Sequence, residues 1–249
     1  MSEVPFENVD FYFAPDLEDV SERLELGGEE VHHLARAARH RPGDVVGLTN
    51  GQGLVVTARV ESVARDRAVL VVLDRFPGHG EPALSLTLGV GLIAPNRFEW
   101  LVEKAVEIGV VKIVPLSTDR SERRRGVRLE RLRRIAVAAT KQCQRAVVPE
   151  IVPPLRLEEF ATSAGQYDVA VLAEPAGKQD IASALRGAEV GAAPRSALGL
   201  VGPEGGFSPA EVDLALSSGF VSVSLGSRRL RTETAALHLS ILLLNIRAR

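Results

Sequence analysis

Apolar positions along this chain gather into two kinds of run, and their alternation predicts an α/β architecture. Mainly apolar runs at 84–93, 110–116, 168–173 and 198–201 read as buried strands, since a strand covered on both faces has no polar side. Between the first two, Phe98, Leu101, Val102, Ala105, Val106 and Ile108 recur at helical spacing and Gly109 ends the pattern. Strand, helix and strand in that order predict parallel pairing with a right-handed crossover, hence a sheet with helices on both faces. A helix is expected over 128–145, with Leu129, Leu132, Ile135, Ala136, Ala139 and Cys143 as its inner stripe. Upstream the pattern changes. A short helix over 29–39 is followed by short strands at 45–48, 54–60 and 68–73, parted by turn residues, the signature of a small β-barrel. The densest cluster of breakers lies at 76–82, so the expected domains are 1–76 and 82–249.

The stretch 198–236 is the most informative. Leu198, Leu200 and Val201 run into Gly202, Pro203, Glu204, Gly205 and Gly206, a loop free to turn sharply and bring bare backbone to a ligand. Ser208, Pro209 and Glu211 make a capping box with proline at the first helical position, and Gly219 closes that helix. Residues 220–225 return as a strand, and Gly226 opens a second loop carrying Arg228, Arg229 and Arg231. Thr232 is expected to cap an apolar final helix over 235–246. Two glycine loops at strand ends match where ligands of parallel sheets bind. The first lacks the Lys-Ser/Thr of a phosphate-binding loop and the spacing of a dinucleotide fingerprint, so the ligand stays unnamed at this point.

At 249 residues, 45% hydrophobic and 25% charged, the composition is that of an ordinary globular protein. The single cysteine, Cys143, excludes an internal disulfide and fits a reducing, cytoplasmic setting. No apolar segment is long enough to cross a membrane, the acidic N-terminus is unlike a signal peptide, and no histidine spacing suggests a metal site; none is expected. The net charge of −2 argues against a nucleic-acid partner, yet its distribution argues for one. Residues 1–30 are strongly acidic. Over 120–145, Arg120, Arg123, Arg124, Arg125, Arg131, Arg134, Lys141 and Arg145 are the main part of a basic surface. A solvated helix face is the commoner role for any one of these bases. The arginines crowded at 120–125 repel one another unless an anion is near, which favours a phosphate-backbone contact.

GPEGG at 202–206, followed by LGSRRLRTETA at 225–235, resembles the RsmE family of 16S ribosomal RNA uridine-N3 methyltransferases, within the SPOUT superfamily. EKAVEIGV at 103–110, TDRS at 118–121, and Gln142 with Arg145 ahead of Pro149 and Glu150 extend the likeness over nearly the whole chain. The resemblance implies a C-terminal domain knotted as a trefoil and a PUA-like N-terminal domain that binds RNA. Arg36, Arg39 and His33 are candidate contacts there, although the family's Arg-x-Phe start is missing around Phe11 and Phe13. It implies S-adenosylmethionine as cofactor, held by Gly202, Pro203, Glu204, Gly205, Gly206, Leu225, Gly226, Leu230 and Thr234, with Leu172 and Glu174 at the edge. Side chains at the loop glycines are expected to intrude on cofactor space. Arg231 is the expected stabiliser of negative charge on the uracil carbonyls, being a fixed cation with two donors. Glu233 or Glu204 would accept the N3 proton, unless Glu233 instead holds the loop arginines.

The implied partners are 16S rRNA of the 30S subunit and a second copy of the chain. The final helix is apolar nearly all round, and the family pairs its knotted domains as homodimers. Two other readings stay open: a related methyltransferase acting elsewhere on tRNA or 23S rRNA, and an RNA-binding assembly protein without catalysis. The intact cofactor motifs argue against the last.

Overall fold

The computed structural model describes residues 6, 9–121, 127–177, 179–183 and 194–245. These form two compact units, one of residues 1–81 with 137–148, the other of 82–136 with 149–249.

The first unit is built on a five-stranded sheet. Its strands are β1 (Phe11–Phe13), β2 (Arg23–Gly27), β3 (Val45–Thr49), β4 (Leu54–Val63) and β5 (Arg67–Pro77), in the order β1-β3-β4-β5-β2. β1 pairs with β3 in parallel and the other pairings are antiparallel. The expected helix at 29–39 is two pieces: α1 (Gly28–His32) passes into a π-helical turn (His33–Ala37). Tyr12, Leu26, Leu34, Val46, Leu48, Val56 and Leu70 fill the interior. The segment 137–148 completes this unit. Gly53 N donates to Ala146 O at 2.9 Å, Val148 N to Gly51 O at 2.9 Å, and Ala146 N to His79 O at 3.0 Å. Ala146 is buried with Phe6, Phe11 and Val55, and Phe6 meets Phe11, Phe76 and His79 edge-on.

The second unit is α/β. Its strands are β6 (Ser85–Gly91), β7 (Lys112–Ser117), β8 (Glu150–Ile151), β9 (Leu155–Arg156), β10 (Val169–Ala173), β11 (Ser196–Val201) and β12 (Val221–Val223). Every pairing is parallel, in the order β12-β10-β11-β6-β7-β8, with β9 also on β7. The helices are α2 (Pro95–Ile108), α3 (Leu129–Gln142, whose last residues count with the first unit), α4 (Leu157–Ala161), α5 (Pro209–Ser217) and α6 (Thr232–Leu244).

Side-chain alternation assigns the two faces. Leu198 and Leu200 look towards Phe160, Phe207 and Ala215 of the α4/α5 side. Gly199, between them, looks the other way, where a Cβ would lie 3.2 Å from Leu239 of α6. Gly89 pairs with Leu200, and a Cβ there would lie 2.4 Å from the Phe160 ring, so the glycine makes room for the phenylalanine. α6 covers β6 and β11 and packs on α2.

The capping box of α5 forms as the sequence suggests: Ser208 Oγ accepts from Glu211 N at 3.3 Å, and Glu211 Oε2 accepts from Ser208 N at 2.7 Å. The final helix departs from expectation. It starts at Thr232 with Arg231 as its N-cap residue, and Thr232 caps nothing. Its hydroxyl donates instead to Gly202 O at 3.0 Å, tying the helix start to the glycine loop.

Candidate functional site

Because β12, β10 and β11 are neighbours, the loops leaving their C-terminal ends are neighbours too: 224–231, 174–177 and 202–208. They are knit together through backbone. Glu174 N donates to Val223 O at 3.0 Å, and Ser224 N to Gln179 O at 2.9 Å. A Cβ on Gly177 would lie 2.4 Å from the carbonyl carbon of Val223, and one on Gly91, at the end of β6, 2.4 Å from Pro203 Cδ. At both places the chain approaches itself more closely than any side chain allows.

Within the first loop, Gly206 N donates to Pro203 O at 2.8 Å and Gly206 takes a φ of 69°, so that glycine serves a turn. No atom lies within 4 Å of its absent Cβ, and the absent Cβ of Gly205 faces Arg120 at 3.1 Å. Gly206 thus takes a backbone conformation that favours glycine, and Gly205 leaves room for the approach of Arg120. Gly202 faces the Phe207 ring at 3.1 Å.

The segment after β7 braces the loop. Arg120 Nη1 donates to Gly205 O and Phe207 O, both at 3.1 Å. Asp119 Oδ2 accepts from Ser208 Oγ at 2.8 Å, while Asp119 N donates to Glu211 Oε1 at 2.8 Å. Glu211 thus closes its capping box with one oxygen and holds Asp119 with the other. Arg120, expected on an RNA surface, is exposed and also braces the loop.

The remaining cofactor candidates fall into three groups. Leu172 is buried within the core of Leu198, Leu200 and Phe220, so only its backbone can reach a ligand. Glu174, Leu225 and Leu230 are half-buried along the loops; Gly226, with a φ of 106°, and Thr234 are exposed. Glu204 is exposed and paired with Arg97, which lies in the first turn of α2. The sequence reading missed Arg97. Its only signal was a basic residue one turn beyond the end of a buried strand.

Arg228, Arg229 and Arg231 are exposed, and none bonds to Glu233 among the described residues. Glu233 does not hold the loop arginines. It is 7% exposed; Oε1 lies 4.0 Å from Arg97 Nε, and Oε2 is buried with no hydrogen-bond partner.

The basic surface separates likewise. Arg123, Arg124 and Arg125 lie outside the described residues. Arg145 is corrected: it is 2% exposed, donating from Nε and Nη2 to Glu81 at 3.1 and 2.6 Å, and is closed to RNA. Lys141 is mostly buried and donates to Glu30 at 2.6 Å. Arg131 grips Glu99 through two nitrogens, Nη2 at 2.7 Å, and this hydrogen bonding holds the Glu99 carboxyl below its ordinary value. Arg134 and Arg39 are exposed, Arg39 with a φ of 61°, and the exposed Arg36 reaches only His32, at 3.5 Å. Among the described residues no cluster of three or more His, Cys, Asp or Glu could hold a metal, and no helix is long and apolar enough to cross a membrane.

Comparison with known proteins bears on this site directly. The family model described as an RNA methyltransferase domain matches residues 80–244, and that of an RNA methyltransferase PUA domain matches 26–73. The ribosomal RNA small subunit methyltransferase E of Bacillus subtilis is 30% identical over 221 residues, 86% of each chain. That of Mycobacterium bovis is 31% identical over 242 residues, 90% of this chain and 87% of its own. Among solved structures, the Neisseria gonorrhoeae enzyme of the same name, bound to S-adenosyl methionine, superposes with a TM-score of 0.84 at 27% identity, covering 94% of this chain and 96% of its own.

Proposed function

Since this chain belongs to the RNA methyltransferase family of the small-subunit enzyme E, we propose that it transfers a methyl group from S-adenosylmethionine to N3 of a uridine in 16S rRNA. The observation that carries this reading is the group of three adjacent strand-end loops, drawn together where Gly177 lies against Val223 and Gly91 against Pro203. A cradle of bare backbone suits a flat adenine, and the family match supplies the cofactor that brings one.

When bound, the cofactor supplies an activated methyl group, so the protein's share is to orient, to exclude water and to manage charge. Backbone groups of Gly202, Leu225 and Leu230 would hold the adenine, with Glu174 at the edge. Glu204 and Glu233 both lie against Arg97, and either carboxylate is suited to face a sulfonium. Arg231, exposed at the N-terminus of α6, is free to donate to a uracil carbonyl as negative charge gathers there.

RNA follows the exposed bases Arg36 and Arg39 on the first unit and Arg134 on the second; the sequence adds Arg123, Arg124 and Arg125, which lie outside the described residues. The same reading places the protein in the cytoplasm, as a homodimer with a knotted C-terminal domain. The return of the chain from edge strand β12 to α6, over β6 and β11, supports the knot. Mass spectrometry of 16S rRNA from a deletion strain tests the proposal. Loss of one N3-methyluridine, restored by the gene, is the expected result, and an unchanged modification profile would overturn it.

A further inference from the structure

Glu233 presents an anomaly. A carboxylate that is 7% exposed normally has every oxygen hydrogen-bonded, because burial strips it of water. Among the described residues Oε2 has no partner, and Oε1 has only the Arg97 guanidinium, 4.0 Å away and beyond hydrogen-bond reach.

The surroundings are held firmly. Thr232, the preceding residue, anchors the helix start to Gly202 O at 3.0 Å, so Glu233 stands beside the glycine loop. Arg97 is committed through Nη1 to Glu204, on that same loop, and turns only its Nε edge towards Glu233. One cation therefore serves two carboxylates from different elements. The unsatisfied acceptor sits at the junction of the loop, α2 and α6.

We propose that Glu233 Oε2 accepts a hydrogen bond from an N–H of the bound reactants, and that Arg97 is the positioning residue that keeps the carboxylate turned for it. This rests on the methyltransferase reading. Two N–H donors share the required chemistry: the ammonium group of the cofactor and the imide N3–H of the uracil. If the donor is the imide, the proton passes from N3 to Oε2 and its electron pair stays on the ring, spread onto the carbonyl oxygens. If the donor is the ammonium, the same oxygen fixes the cofactor and no proton moves. Glu204, exposed and already paired with Arg97, suits neither task.

The decisive variant is Glu233→Gln, which keeps the shape and removes the charge. Isothermal calorimetry with S-adenosylmethionine and single-turnover methylation of 30S subunits across pH, both at saturating RNA, separate the donors. An ammonium donor predicts a Kd at least tenfold weaker with the rate at saturating cofactor unchanged. An imide donor predicts a Kd within twofold of the parent, and a rate roughly 100-fold or more lower that now climbs with pH because the imide has to ionise unaided. Arg97→Lys, which keeps a charge but not the fork, should move the same readout in the same direction by a smaller factor. Unchanged Kd, rate and pH profile in a folded Glu233→Gln protein would overturn the proposal, as would an Arg97→Lys protein that matches the parent. Should Glu233→Gln not fold, Glu233→Asp, with its oxygen drawn back, must show the same split or the proposal fails. A parent protein that binds no S-adenosylmethionine would instead overturn the methyltransferase reading.

Discussion

Arg120 holds Gly205 by its carbonyl oxygen, donating from Nη1 at 3.1 Å and reaching Phe207 O at the same distance. A charge-assisted bond to two carbonyls orders the one segment whose conformation the glycines leave loose. Arg120→Ala should therefore weaken S-adenosylmethionine binding by about tenfold, within the roughly 1.5–3 kcal/mol of such bonds less an allowance for exposure. Calorimetry measures it. If Arg120 were mainly a phosphate contact, cofactor affinity would hold and the salt dependence of RNA binding would flatten instead.

Two glycines of the site should respond differently to alanine. At Gly177 the added carbon meets backbone at 2.4 Å, so one strand-end loop must leave another. At Gly206 the space is open and only the φ of 69° opposes the change, a strain of roughly 1–2 kcal/mol. Gly177→Ala is expected to abolish cofactor binding, and Gly206→Ala to lower the urea midpoint modestly and keep measurable binding. Equal effects would mean that close backbone approach does not build this site.

Arg145 and Glu81 form the buried ion pair of the first unit, the arginine 2% exposed. Removing the carboxylate takes two charge-assisted bonds from a buried guanidinium, and breaking a buried pair costs about 3–5 kcal/mol. Glu81→Gln should show it as a large fall in urea midpoint with the salt slope of RNA binding unaltered. A changed slope in a stable variant would return Arg145 to the RNA surface.

What could be read beforehand follows from the range of each signal. Buried strands and the capping box of α5 lie in contiguous residues, so periodicity and spacing reveal them. The start of α6 was misjudged because Thr232 has the chemistry of a cap, and only the fold shows its hydroxyl spent on Gly202. β1 and β2 lie in an acidic stretch whose apolar residues are too few to show a period. Arg97 pairs with Glu204, 107 positions away, and Arg145 with Glu81, 64 away. Nothing local distinguishes such residues from solvated charges. The glycine loops are visible as loops in the sequence, whereas the close approaches at Gly91 and Gly177 join segments far apart in the chain and show only in the fold.

Acid should act through Asp168. Its carboxylate accepts from Arg195 N at 2.8 Å, Ser196 N at 2.9 Å and the Ser196 hydroxyl at 3.1 Å, joining the starts of β10 and β11. These bonds, the Arg195 amide foremost, hold the carboxyl below its ordinary value. The stabilisation is thus complete above the unfolded value of about 4 and disappears as pH falls through the lower folded value. Asp168→Asn should lower the urea midpoint at neutral pH, and the gap from the parent should narrow steadily on acidification below about pH 4. A gap that stays constant would place the role of Asp168 in shape alone.

The last prediction concerns assembly. Ala236, Leu239, Ser240 and Leu243 of α6 are buried, consistent with its cover over β6 and β11, so part of its apolar surface is satisfied within the chain. The rest is not. Ile241 is 46% exposed and Trp100, on the α2 helix that packs against α6, is 45% exposed. A tryptophan left in water on a helix beside an exposed isoleucine suits a surface shared with a second copy, since aromatic anchors dominate such interfaces. The protein should therefore sediment as a dimer at low micromolar concentration. Ile241→Glu and Trp100→Glu, both at surface positions, should yield folded monomers, because a charge on each side of a two-fold contact meets its own copy and repels. Activity should fall with dimerisation while the urea midpoint per chain changes less. A parent protein that sediments at 26.7 kDa with full activity would end the dimer model and leave Trp100 to another partner.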